Sequence, residues 1–434
     1  MPGSSAGPPG HGFAFGRRQL IAWFVVFTGY ACAMIFTGGD DGTWALWAVG
    51  GYALTAVLLW RSLGPAAALL AAFACAVAAP IVWLTLRAPA TADVTVVTRS
   101  AILLLRHASP YLPPGQLATW TSYNPYLPFM AVFGLPRAAG LPGLIGDPRP
   151  WLVMTSLALL AAAFWLAAPH RPSRCGACRK AAWCGAVFGV ASPVLALSLS
   201  VGITDAPVIA LVCLALACVA RRRRLPVAAG LAIGAACAMK STAWPALPVI
   251  AVMLAVRDGA RVATRFTVTS VVAAGALIAA AAPALLAQPG ALLQNIVLFP
   301  LGLTAHKTPA ASPLPGHILA VTGPAGHRAA IGLLVAAGLA VAVSLAVRPP
   351  ADVPAATTRL AVGLALLFAL APAARFGYFA YPLALLGWSA LTKPGAAVTR
   401  PDVPAITDDR AAASSERATA IGATAEDPPA TETF

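Results

Sequence analysis

Apolar runs of about the length needed to cross a bilayer recur from residue 19 to residue 391, and no polar linker separates them. With 59% of residues hydrophobic and only 10% charged, lipid rather than water is the expected solvent of most of the chain. Runs of this length read as helices, so the fold class is all-α and polytopic. Spans are predicted at about 19–37, 43–60, 65–86, 151–168, 182–201, 206–220, 225–239, 242–256, 266–287, 329–347, 360–373 and 378–391, about twelve in all.

The charges between these runs orient them. Arg61, the cluster Arg171, Arg174, Arg179 and Lys180, the run Arg221 to Arg224, the set Arg257, Arg261 and Arg265, and then Arg348 and Lys393 fall on the side of Arg17 and Arg18. The positive-inside rule makes this the cytoplasmic side, which predicts a multi-pass plasma-membrane protein with both termini in the cytoplasm. The net charge of +15 therefore reports topogenic anchors, not a surface for nucleic acid, and no nucleic-acid partner is expected. Asp40, Asp41, Asp93, Asp147 and Asp205 fall on the opposite side, and no glutamate precedes Glu416. Asp258 and Asp352 lie in basic inner loops, where solvation or local pairing is expected.

Residues 17–391 read as one transmembrane domain. Residues 1–16 and 392–434 hold few large apolar side chains and cannot offset their ordering entropy by burial, so both are expected to be disordered, the second in the cytoplasm. Arg17-Arg18 before a spanning run reads as a signal anchor. Most cysteines sit in apolar runs as small hydrophobes. Cys175-Gly-Ala-Cys178 has the spacing of a metal or redox pair, but it is a single CxxC in a loop expected to be reducing. With no nucleotide-phosphate loop and no metal cluster, no cofactor and no metal are expected.

Two outer segments, 87–150 and 288–328, are too long to be mere connectors. The first holds Asp93, and a carboxylate near hydrocarbon costs roughly 2.5–3.5 kcal/mol on insertion scales, so its presence needs a reason. The stretch Val94 to Leu105 looks amphipathic, with Val97, Ile102 and Leu105 toward lipid or protein and Arg99 and Arg106 able to reach phosphates. Ser109-Pro-Tyr111 and Tyr123-Asn-Pro-Tyr126-Leu-Pro128 follow, a rigid interfacial loop whose rings suit headgroups or sugars. Asp40-Asp41 lies in the turn Gly38-Gly-Asp-Asp-Gly42, where turn chemistry explains both residues; the pair could otherwise bind a divalent cation or act as a base. Gly230 and Gly234 have the spacing for close helix packing.

The order Asp93, Ser109-Pro-Tyr111, Tyr123 to Pro128 and Gly146-Asp147-Pro-Arg149 resembles the polyprenyl-phosphate-mannose-dependent glycosyltransferases of family 87, membrane enzymes of the GT-C type. Further down, Arg221 to Arg224, Gly230 to Gly234 and Lys240-Ser-Thr-Ala-Trp-Pro245 look like the family's arginine turn, small-residue helix and outer lysine. Phe299-Pro-Leu-Gly302, Ser312-Pro-Leu-Pro-Gly316 and Arg375-Phe-Gly-Tyr378-Phe-Ala-Tyr-Pro382 are similar to segments of uncharacterised members. The likeness covers about residues 65–391 and leaves the first two spans outside it.

The resemblance implies transfer of a sugar, mannose by the family's habit, from a polyprenyl-phosphate donor to a glycolipid or glycan acceptor on the outer side, with inversion. An aspartate of the first outer loop serves as base, and Asp93 is the matching position. The chemistry makes the same demand, because an alcohol is a poor nucleophile until a carboxylate can accept its proton. A departing polyprenyl phosphate gains negative charge that preorganised cations would stabilise, and Lys240, Arg375, His306 and Lys307 are the outer-side candidates. Tyr111, Tyr123, Tyr126 and Arg99 are candidate substrate contacts. The rival classes are a lipid or solute transporter or flippase, with helices broken at Pro245, Pro248 and Pro283, and a non-catalytic membrane scaffold.

Overall fold

The apolar runs all fold as helices. The computed structural model describes residues 16–167, 176–201, 204–221, 225–286 and 289–392, and the expectations for both tails, for Arg222 to Arg224 and for the Cys175–Cys178 pair lie outside the described residues. In chain order the long helices are α1 (Arg17–Ile35), α2 (Gly39–Trp60), α3 (Pro65–Arg87), α4 (Ala92–His107), α5 (Pro148–Ala167), α6 (Gly176–Ala191), α7 (Pro193–Ser200) and α8 (Asp205–Ala220). They continue with α9 (Pro226–Met239), α10 (Ala246–Asp258), α11 (Ala260–Ala281), α12 (Pro324–Val347), α13 (Val353–Leu370) and α14 (Ala380–Thr392). The described residues contain no strand, only an isolated bridge between Ala311 and Ala374.

Seven of these helices are long and apolar enough to cross a membrane: α1, α2, α3, α5, α11, α12 and α13. The expected twelve spans are not reached. The segment Trp183–Ala191 and helix α7 make an eighth if the pair, bent by 63°, is one span. Helices α8, α9, α10 and α14 run for 16, 14, 13 and 13 residues. At 1.5 Å per residue these reach only about 20–24 Å, short of a hydrocarbon core of about 30 Å. In α8 the apolar composition serves protein packing, because its residues from Asp205 to Cys213 are all buried. A hydropathy window reads burial in protein and burial in lipid alike. Helix α11 also begins earlier than expected, so that Arg261 and Arg265 stand in its first turns.

Proline breaks are repaired by neighbours. Pro80 in α3 has no N–H for the carbonyl of Ala76, and residues Ala74–Ala78 form a π-turn there. The Trp44 indole N–H from α2 donates to that carbonyl at 2.8 Å and the Ser200 hydroxyl from α7 at 3.2 Å. Where Pro193 bends the chain, the Tyr52 hydroxyl donates to the Ala191 carbonyl at 2.7 Å. Low-dielectric surroundings leave no water for these groups, so such bonds make a broken span tolerable. Phe24, Phe27, Tyr52 and Phe188 form an aromatic cluster joining α1, α2 and α6, with ring centroids 5.5–5.9 Å apart.

Helices α9 and α11 approach closely. A Cβ on Gly234 would stand 2.6 Å from the Ala273 Cβ, and one on Gly230 2.9 Å from the Phe266 carbonyl oxygen. The GxxxG spacing thus packs helix on helix.

Basic side chains cap helix C-termini at one end of the bundle. Arg17 donates to the carbonyls of Leu59 and Trp60, Arg221 Nε to that of Leu166 at 2.7 Å, and Arg257 to that of Val219 at 2.7 Å. Each places a cation on the negative end of a helix dipole. Asp258 pairs with Arg257 at 2.6 Å, and Asp352 caps α13 by accepting from the Ala355 N–H at 2.8 Å. At the opposite end Asp147 pairs with Arg149 at 2.8 Å, and Arg149 also donates to the carbonyls of Leu84, Thr85 and Ala88, closing the end of α3.

Candidate active site

The acidic end of the bundle is built from α4, the loop after it, and the segments 293–310 and 371–379. Thr91 caps α4 by accepting from the Val94 N–H at 3.5 Å, which sets Asp93 in the first turn, where the helix dipole favours a carboxylate. Arg375 caps a short turn, Phe376–Phe379, and its guanidinium lies 3.8 Å from the Asp93 carboxylate. The Asp93 and Arg375 side chains keep 36% and 42% of their exposure, so this is a loose pair that solvent or a ligand can reach.

Lys240 follows the last residue of α9 and is held quite differently. It is 7% exposed and donates to Asp205 Oδ1 at 2.5 Å, and Asp205, at the head of α8, is 4% exposed. The Tyr381 hydroxyl donates to the same oxygen at 2.7 Å and accepts from the Thr242 hydroxyl at 2.9 Å. Rings of Tyr126 and Tyr378 flank the ammonium, each centroid 5.3 Å from Nζ. Burial is the largest influence and works against the Lys240 charge, but the Asp205 carboxylate and its hydrogen bond, with Tyr378 and Asp93 beyond, together outweigh it and hold the pKa above the ordinary lysine value. Asp205 accepts one of the three N–H donors of this ammonium.

A cavity of about 200 Å³ joins these groups. Asp93, Lys240, Arg375 and Thr242 line it together with the rings of Tyr123, Tyr126 and Tyr378. Leu334 of α12 and Leu367 of α13 form an apolar side, and both helices are long enough to span. Burial and the charge of Asp93 push the Tyr126 phenol well above its usual range, so it stays neutral.

The aromatic loop is pinned from several directions. The Asn124 backbone N–H donates to Asn295 Oδ1 at 2.8 Å, its side-chain amide donates to the Ser100 hydroxyl at 3.0 Å, and its Oδ1 accepts from the Tyr126 N–H at 3.0 Å. The Leu127 N–H donates to the Met239 carbonyl at 2.9 Å, tying the loop to the residue before Lys240. Tyr123 stacks flat on Phe299 with centroids 4.4 Å apart.

Asp93, Lys240, Arg375, Tyr123 and Tyr126 therefore meet in one cavity, while the other candidates stand elsewhere. Tyr111 is buried behind the wall among Leu127, Leu285 and Ile296, its hydroxyl donating to the Tyr126 carbonyl at 2.9 Å. Arg99 donates to the carbonyls of Thr121, Ser122 and Tyr123 at 2.5, 3.1 and 3.3 Å, so it shapes the wall from outside. His306 is half-buried, Lys307 is exposed, and neither lines the cavity, although the adjacent Thr308 does. Asp40 and Asp41 occupy the first turn of α2 after Gly38 and Gly39, both at positive φ, and they too lie outside the lining.

Asp205, Thr242, Tyr378 and Tyr381 are the site residues that sequence reasoning did not assign. Asp205 opens one apolar helix and Lys240 follows another at the same end, a charge complementarity that was available as a signal. Among the described residues no three His, Cys, Asp or Glu side chains come together as a metal site. No protein-family model matches this chain, and neither a curated protein nor a solved structure is similar to it.

Proposed function

We propose that the protein is an inverting membrane glycosyltransferase that moves a sugar, mannose by resemblance, from a polyprenyl-phosphate donor to a glycolipid or glycan acceptor. One observation carries the reading: a half-exposed carboxylate shares a ring-lined cavity with two cations, and the cavity has an apolar side formed by helices long enough to span. The sugar is expected to stack on Tyr123 and Tyr126, with the polyprenyl tail leaving past Leu334 and Leu367. The basic end of the bundle is proposed to face the cytoplasm, leaving the cavity on the outer side.

In the reaction the acceptor oxygen attacks the anomeric carbon as its proton passes to the Asp93 carboxylate. The bond from that carbon to the phosphate oxygen breaks, and polyprenyl phosphate departs with the electron pair. A single displacement inverts the anomeric centre. Arg375 is the exchangeable cation, because its contact with Asp93 is long and partly solvated; moving to the donor phosphate, it frees the carboxylate to act as base. Lys240 is the fixed charge, kept in place by Asp205 while its remaining N–H groups face the leaving phosphate.

The test supplies radiolabelled polyprenyl-phosphate sugars and membrane glycolipids to the protein in proteoliposomes. Transfer of label to an acceptor is expected, with Arg375→Gln raising the donor KM. No transfer across a broad donor panel, with solute or lipid movement across the bilayer instead, would replace this reading with transport.

A further inference from the structure

A second and larger cavity, of about 660 Å³, opens on the other face of α4. Ala92, Asp93 and Val96 look into the first cavity, whereas Val94, Thr95, Thr98, Arg99 and Ile102 look into this one. It lies where α3 ends and α5 begins, at the boundary of two helices long enough to span. Its lining is amphipathic. Leu86, Ile102 and Leu144 supply an apolar side, and Leu86 and Leu144 are themselves exposed, so the cavity continues onto the outer surface of the bundle.

Its polar side is cationic and under-satisfied. Arg137 is exposed, and its guanidinium makes no hydrogen bond or ion pair among the described residues. Thr85 Oγ1 and Arg99 Nε are buried without a hydrogen-bond partner, a costly state in low-dielectric surroundings. Asp147, the one carboxylate in the lining, is already neutralised by Arg149 at 2.8 Å.

From this cavity we infer a binding site for an anionic phospholipid, its phosphate on Arg137 and an acyl chain along Leu86 and Ile102. Charge complementarity selects an anion, and the apolar wall open to the bundle surface selects one carrying a hydrocarbon chain. The site is separate from the proposed sugar-transfer cavity, and its occupancy is independent of whether transfer occurs.

The full chain, purified into nanodiscs of phosphatidylcholine doped with phosphatidylglycerol, tests it by counting co-purifying lipid with native mass spectrometry. Wild type is expected to retain phosphatidylglycerol in preference to phosphatidylcholine, and inorganic phosphate is not expected to displace it. Arg137→Gln should weaken that retention about tenfold, the loss of one charge-assisted contact. Leu144→Trp, which fills the cavity from its apolar side, should weaken it without altering any charge. Arg106→Gln, at an exposed arginine of α4 outside the lining, should leave it unchanged. Equal retention of both lipids, phosphatidylglycerol retention unaffected by Arg137→Gln and Leu144→Trp, or full displacement by inorganic phosphate would overturn the proposal.

Discussion

Lys240 and Asp205 differ from Asp93 and Arg375 chiefly in solvent. Removing one partner of a buried pair leaves an uncompensated charge, so Asp205→Ala is expected to cost about 3–5 kcal/mol of stability. The double replacement Asp205→Leu with Lys240→Met should recover most of it, as a thermal melt in detergent would show. Arg375→Gln removes one side of a partly exposed pair and should change stability by no more than about 1 kcal/mol, so any loss of transfer would be chemical. The sequence made Asp93, Lys240 and Arg375 candidates one by one. Their meeting in one cavity was not legible, because 134 residues lie between Lys240 and Arg375 and nothing in a chain of helices says which helix ends adjoin.

At the scale of elements, each break in a helix is matched by a donor or a small residue from another helix. Trp44→Phe keeps the ring but removes the N–H that serves the Ala76 carbonyl, and a loss of about 1 kcal/mol is expected in a denaturant or thermal titration. Gly234→Leu would drive α9 from α11 at a contact already closer than a Cβ permits, and overpacking of about 1–3 kcal/mol is expected. The close packing at Gly230 and Gly234 was readable because it depends on local spacing. The span count was not, since α8, α9, α10 and α14 run for only 13 to 16 residues and the apolar side chains of α8 are buried in protein. The roles of Tyr111 and Arg99 also escaped sequence reading: both carry the chemistry of a ligand contact, but their hydrogen bonds go to backbone carbonyls.

For the molecule as a whole, the arginine-capped end and the aspartate-bearing end give it a polarity that the membrane should read. In a cysteine-free background, Lys307→Cys is expected to react with an impermeant thiol reagent from outside intact cells, and Arg61→Cys only after permeabilisation; the reverse pattern would invert the proposed topology. The central claim is that the Asp93 carboxylate accepts a proton in the cavity it shares with Lys240 and Arg375. Its most direct test is the rate of sugar transfer from a polyprenyl-phosphate donor by Asp93→Asn and wild type at matched folded amounts. A fall of about 10²–10⁴-fold with little change in melting temperature is the expected result. Transfer by Asp93→Asn at the wild-type rate would contradict the account.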